Sequence, residues 1–204
     1  MRPKLKLAIL ISGRGSNFKS LIDACAAPDF PAEIVLVISN KPDAMGLKFA
    51  KEAKIPELIL NHKNYSSREE FDQAMSAEIE KSGAGLVCLA GFMRLLSPWF
   101  VEKWRDRLIN IHPSLLPSFK GIDVHKRVLE SGVKITGCTV HYVRPEMDSG
   151  PIIVQAAVPV FSEDSEADIA ARILAEEHKC YPLAVKLIAE GRAEIRDEKV
   201  FVKE

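Results

Sequence analysis

Three short segments carry side chains whose types and spacing could do chemistry. One is Asn110-Ile111-His112-Pro113-Ser114-Leu115-Leu116-Pro117, which closes an apolar run. In an extended chain, an amide and an imidazole two residues apart point to the same side. Asn110 could donate to a developing oxyanion, and His112 could donate as imidazolium or pass a proton near neutral pH. Pro113 ends any ladder and stiffens the exit. A structural histidine held by hydrogen bonds is the competing reading. Another is Asp148, in the turn Arg144-Pro145-Glu146-Met147-Asp148-Ser149-Gly150-Pro151. Its carboxylate could orient His112 and favour its protonated form, or it could only shape the chain as an Asx-turn. Sequence alone does not bring the two together. The last is Ser12-Gly13-Arg14-Gly15-Ser16-Asn17, where backbone N–H groups and a positive helix end could face an anion. A dinucleotide fingerprint would need glycine where Phe18 stands and an acidic residue where Ser39-Asn40 stands, so no nucleotide cofactor is expected. The GxxxxGK[ST] pattern is absent as well. What remains is a place for a single phosphate, with Ser16 and Asn17 as added donors, or a tight turn with no ligand.

These segments need elements to aim them. Apolar runs at residues 5–11 and 34–38 alternate with helical patterns at 16–27 and 45–53, and 58–60 makes a further short run. Such alternation implies βαβ units and a parallel sheet. Ser66 or Ser67, three residues before Glu69 or Glu70, gives a capping box ahead of a helix with Phe71, Met75 and Ile79 on one face. Residues 86–90 and 108–111 read as buried strands around a short helix starting near Ser97-Pro98. Beyond Gly132, runs at 134–143 and 152–160 have no helix between them and should pair antiparallel. A long helix from Ser165 to about Gly191 should kink or break at Pro182, and 194–202 closes as a hairpin. With no repeat, linker or low-complexity tract, residues 1–204 read as a single domain.

Composition bounds the partners. Lysine plus arginine is 28 and aspartate plus glutamate is 28, so no basic field exists to hold nucleic acid or an anionic membrane. Cys25, Cys88, Cys138 and Cys180 form no CxxC pair, and His62, His125, His141 and His178 have no metal-ligand spacing. No metal and a reduced, cytoplasmic setting are therefore expected. The opening basic residues and apolar run resemble a signal peptide only superficially; the run is short and leads into Ser12-Gly13-Arg14, so it reads as a buried strand. No stretch approaches the roughly 20 apolar residues that cross a bilayer. Leu95-Leu96 and Trp99-Phe100 read as core, and Arg68 and Arg94 by default as solvated charges.

Taken together, the SGRGSN loop, LAGFMRLLS around Met93, NIHPSLLPSFKG around His112 and HYVRPEMDSGPI up to Ile152 resemble the folate-dependent phosphoribosylglycinamide formyltransferases, over nearly the whole chain. The resemblance implies an α/β fold, an open Rossmann-like, mostly parallel twisted sheet flanked by helices, with antiparallel strands in the C-terminal part. It implies formyl transfer from 10-formyltetrahydrofolate as co-substrate to glycinamide ribonucleotide in purine biosynthesis. Matched position by position, it makes Asn110, His112 and Asp148 the catalytic set. Gly15, Ser16 and Asn17 match positions that hold the acceptor's phosphate, and Glu177 one that contacts the acceptor. Arg68 matches a folate-contacting arginine. Met93, Arg94, Leu95 and Leu96, Asn110, His141, and Arg144, Pro145, Glu146, Met147 and Asp148 match the folate-binding segments. Leu174 departs from relatives that carry a polar acceptor-binding side chain there. Formyltetrahydrofolate hydrolases of similar chemistry usually add an N-terminal regulatory domain, and methionyl-tRNA formyltransferases a C-terminal one. Neither is expected here, and a sugar-nucleotide formyltransferase is disfavoured by the SGRGSN loop and Glu177. Small relatives occur as monomers or dimers; a homodimer is the expected state.

Overall fold

A computed structural model describes residues 3–203, which cluster into two compact units divided after Asn110. The first unit holds β1 (Leu5–Ile11), α1 (Ser16–Cys25), β2 (Ala32–Ser39), α2 (Gly46–Glu52) and β3 (Glu57–Ile59). A single 3₁₀ turn (His62–Asn64), α3 (Arg68–Ser82), β4 (Leu86–Leu89) and α4 (Pro98–Lys103) follow, and β5 (Leu108–His112) runs across the boundary. Its strands lie in the order β3-β2-β1-β4-β5, all parallel, with Leu10 opposite Ile38 on one side and Leu89 on the other. Leu7 to Ile11 are fully buried, as a parallel strand covered on both faces requires. The order reverses between β1 and β4, and the crevice outside the carboxyl ends of such a pair is where open α/β sheets bind ligands.

Caps follow the sequence with one variation. Ser67 Oγ accepts from the Glu70 N–H, but Glu70 reaches back to the N–H and hydroxyl of Ser66 rather than to Ser67. Phe71, Met75 and Ile79 are buried as the spacing predicts, and the indole of Trp104 donates to Ser76 at 3.0 Å. Each large apolar side chain so buried contributes roughly 1.5–3 kcal/mol.

The second unit contains α5 (Val124–Ser131), β6 (Ile135–Tyr142), β7 (Ile152–Pro159), α6 (Glu166–Ala189), β8 (Ala193–Arg196) and β9 (Lys199–Val202). β6 and β7 pair antiparallel, β8 and β9 form the expected hairpin, and the chain as a whole is α/β with mostly parallel pairings. The β6–β7 register slips between Val140 and His141, a bulge of the kind that re-aims a side chain. Gly137 is needed for this pairing, since a Cβ there would stand 1.9 Å from the Ala156 carbonyl oxygen.

Two features differ from expectation. α5 is a helix that the sequence reading does not include, although its buried Val124 and Val128 stand at helical i, i+4 spacing. Of the kink or break expected at Pro182, the break does not occur: α6 continues through it to Ala189, held by the buried Tyr181, Ala184 and Val185 around the missing backbone bond. Among the described residues no helix is long and apolar enough to cross a membrane.

Candidate active site

In the second unit, His112 ends β5 and is buried. Its Nε2 donates to the Phe119 carbonyl at 2.9 Å, and its Nδ1 faces Asp148 Oδ2 at 3.5 Å. Both ring nitrogens thus face oxygen atoms, the carbonyl within hydrogen-bond distance and the carboxylate at its limit. Asn110 lies two residues earlier on the same strand, half-buried, with its side chain on the face that His112 uses.

Asp148 sits in left-handed backbone at φ 49, where an aspartate is tolerated. Its Oδ2 accepts from the Gly121 N–H at 2.8 Å, a partner 27 residues away, so its role is not that of a local Asx-turn. Its Oδ1 lies 3.8 Å from Nε2 of His141. His141 donates from Nδ1 to the Tyr142 carbonyl at 2.9 Å, which leaves Nε2 as a bare acceptor with no hydrogen-bond partner among the described residues. Burial pushes the His141 pKa down and keeps the ring neutral, against the raising influence of the Tyr142 carbonyl and Asp148. One carboxylate therefore stands between two unlike imidazoles.

The loop after His112 is fixed from below by a polar network, buried at Ser114 and Thr139 and closed by the exposed Gln155. Thr139 Oγ1 donates to the Ser114 carbonyl and accepts from the Leu116 N–H, while Gln155 bridges the Leu116 carbonyl and Thr139. That anchoring places Phe119 and Gly121, the partners of His112 and Asp148.

In the first unit, Ser12 ties the strand ends together: its hydroxyl donates to Asn40 Oδ1 at 2.6 Å and accepts from the Met93 N–H at 2.8 Å. Gly15 caps α1 with φ 74, and a Cβ there would meet Gly46 Cα at 2.7 Å. Gly15 is thus explained by packing alone. Gly13 is not, since nothing lies within 4 Å of where its Cβ would be. Open space over that backbone suits close approach of a ligand to the positive end of α1. Ser16 and Asn17 form the first turn of α1.

Segment 91–97 is pinned at both ends, at Met93 by Ser12 and at Ser97, whose N–H donates to Asp72 Oδ2 at 2.6 Å. Burial pushes the Asp72 pKa up, opposed by the Ser97 hydrogen bonds and then by Arg68 and Arg94. Between the pins, Met93 and Leu95 are 78% and 58% exposed, so Leu95 is not the core residue expected. Leu96 and Trp99 are half-buried, and Phe100 alone of these pairs is core. Arg94 is not a solvated charge: it is half-buried with its guanidinium 5.7 Å from the Phe71 ring centre. The fixed backbone thus presents exposed apolar side chains that a flat apolar ligand could cover.

Of the remaining expected residues, Arg68 is exposed at the start of α3, and Glu177 is buried on α6, with Leu174 half-buried one turn before it. Pro145, Glu146 and Met147 are exposed, whereas Arg144 is buried and ion-paired with Glu198. Within the second unit the fold gathers His112, His141 and Asp148. Sequence reasoning missed Ser12, Asn40, Asp72, Gly121 and Glu198. Ser12 and Gly121 lie inside the SGRGSN and NIHPSLLPSFKG segments, and Asp72 stands four residues before Ser76 beside an apolar helix stripe, but none of these signals gave the residue its role.

Comparison with known proteins adds an independent finding. Residues 5–185 match the formyl transferase family model. The chain is 43% identical over 197 residues to the phosphoribosylglycinamide formyltransferase of Haemophilus influenzae, covering 97% of this chain and 93% of that protein. It is 50% identical over 192 residues to the trifunctional purine biosynthetic protein adenosine-3 of Gallus gallus, of whose length it spans only 19%. The crystal structure of glycinamide ribonucleotide transformylase 1 from Symbiobacterium toebii superposes with a TM-score of 0.97 at 43% identity, covering 100% of this chain and 96% of that one.

Proposed function

The chain belongs to the formyl transferase family, and from that footing we propose that it transfers the formyl group of 10-formyltetrahydrofolate to the amine of glycinamide ribonucleotide. The products are formylglycinamide ribonucleotide and tetrahydrofolate, a step of purine biosynthesis. The family match crosses both compact units, and the proposal treats them as one formyltransferase domain.

The observation that carries the reading is a buried imidazole on a strand end, two residues after an amide and faced by a half-buried carboxylate. That set suits acyl transfer to an amine without a covalent enzyme intermediate. The amine nitrogen attacks the formyl carbon, the C–N bond forms, and the carbonyl oxygen becomes an oxyanion. Asn110 and protonated His112 donate to it. Collapse breaks the bond to folate N10, and the proton lost by the amine passes by way of His112 and Asp148 to that nitrogen. The 3.5 Å gap between His112 and Asp148 is slack that a bound substrate can tighten.

Binding roles follow the same reading. The amides and side chains of Gly15, Ser16 and Asn17 hold the acceptor's phosphate, supported by the open backbone at Gly13. Glu177 contacts the acceptor from α6. Arg68 pairs with the carboxylate tail of the folate. Residues 93–96, His141 and residues 144–148 receive its pteridine end, supported by the exposed Met93, Leu95 and Met147. Four free cysteines support the cytoplasmic setting.

The test is release of tetrahydrofolate with and without glycinamide ribonucleotide. Release that requires the acceptor is the expected result. Release at the same rate without it makes the protein a hydrolase and sinks the proposal.

A further inference from the structure

The β8–β9 hairpin is outside every role described so far, yet its tip is built against local preference. Arg196 pairs with Lys199, so the loop is the two residues Asp197 and Glu198, with φ of 49 and 54. Two consecutive left-handed residues make the tight hairpin turn in which aspartate is accepted first and glycine strongly favoured second. This chain has glutamate in the glycine position.

The carboxylate of Glu198 meets the guanidinium of Arg144: Nε to Oε2 is 2.6 Å and Nη2 to Oε1 is 3.4 Å, a two-pronged pair. Arg144 is only 8% exposed in its side chain against 55% for Glu198, so the guanidinium is withdrawn from water and the hairpin brings the counter-charge to it. Arg144 opens the loop between β6 and β7 that carries Asp148. Its stem lies under that loop, since a Cβ on Gly150 would stand 3.2 Å from Arg144 Cγ and 1.7 Å from the Tyr142 carbonyl oxygen. Asp148 is therefore set between Arg144, held from outside by the hairpin, and Gly150, packed against the Arg144 stem. β9 itself packs against β7.

We infer that Glu198 is a positioning residue: by clasping Arg144 it fixes the 144–150 loop so that the Asp148 carboxylate stays on the Gly121 N–H and in front of His112. The inference rests on the formyl-transfer reading for its kinetic consequence but not for its structural one. It explains why a strained glutamate stands where glycine would relax the turn.

The choice of glycine as the test substitution separates the clasp from general stability. Glu198→Gly relieves the turn but removes the counter-charge of the withdrawn Arg144 guanidinium; the two effects oppose each other, so the melting temperature should shift only modestly, and the comparison is made on protein shown to be folded. Hydrogen exchange at the Gly121 amide, which reports the Asp148 hydrogen bond directly, should quicken by about tenfold. In the full chain, kcat should fall about five- to tenfold while KM for glycinamide ribonucleotide changes less than about twofold. Glu198→Gln, which keeps an acceptor and loses the charge, should fall between the two. Unchanged Gly121 exchange in folded Glu198→Gly overturns the clasp, and faster exchange with unchanged kcat overturns the positioning role. If the parent chain transfers no formyl group, the functional reading fails while the exchange comparison still decides the clasp.

Discussion

Replacing Asp148 by asparagine isolates one quantity, the negative charge beside His112. An asparagine oxygen in the place of Oδ2 still accepts from Gly121, and its amide nitrogen falls where Oδ1 stood, 3.8 Å from the bare Nε2 of His141. Every hydrogen bond of the carboxylate is kept and one can be gained, so the fold should be as stable as before. The electrostatics are not kept. A unit charge 3.5 Å from an imidazolium is worth about 5 kcal/mol at an effective dielectric of 20. The side chains are 6% and 11% exposed, so screening is modest; relaxation of the site still reduces the figure, to about half. The remaining 2–3 kcal/mol or so corresponds to on the order of a hundredfold in rate. Steady-state release of tetrahydrofolate should show that loss in kcat, with the melting temperature unchanged and KM for the acceptor nearly so. An Asp148→Asn protein that turns over within a few-fold of the parent would refute the reasoning at its root, because nothing but charge has been removed.

Four further outcomes are expected. Asn110→Ala should lower kcat on the order of a hundredfold, the usual cost of one oxyanion donor, with little change in melting temperature because the side chain is only half-buried. Gly15→Ala should destabilise by roughly 2–4 kcal/mol in denaturant titration, from left-handed strain plus the 2.7 Å clash with Gly46. Gly13→Ala should leave stability alone and raise KM for the acceptor, and equal effects of the two substitutions would remove the ligand role from this loop. Melting temperature should fall as the pH drops below 6.5. Burial lowers the folded-state pKa of His141, His125 and His178, so the stability they contribute is complete above 6.5 and is lost as pH falls through the lowered values. A curve that is flat or rising from pH 7 to pH 5 would contradict this. Asp72 acts in the opposite sense nearer pH 4, since its raised pKa favours the protonated folded form.

The parallel strands were legible because burial on both faces leaves a mark that composition cannot hide: Leu7 to Ile11 have no polar member and no exposed one. The end of β5 was legible for a related reason, since Pro113 cannot continue a ladder and whatever polar groups precede it must face outward from the strand tip. α5 was not legible, since an eight-residue helix offers only one i, i+4 repeat, Val124 and Val128. Nor was the persistence of α6 through Pro182, because local propensity argued for a break and packing of Tyr181, Ala184 and Val185 outweighed it.

The same division runs through the candidate site. Residue types at strand ends follow from short motifs, but the atoms that give those residues their electrostatic character come from far along the chain. Asp148 was visible as a carboxylate in a turn; its hydrogen bond to Gly121 and its place between two imidazoles depend on a loop fixed by Thr139 and Gln155. A neutral, acceptor-only His141 beside Asp148 follows from a single bond to the Tyr142 carbonyl and from burial, and neither has a signature in spacing. Each histidine gives one ring nitrogen to a backbone carbonyl and turns the other to Asp148, His112 at 3.5 Å and His141 at 3.8 Å, so the pair is defined by contacts that spacing does not encode.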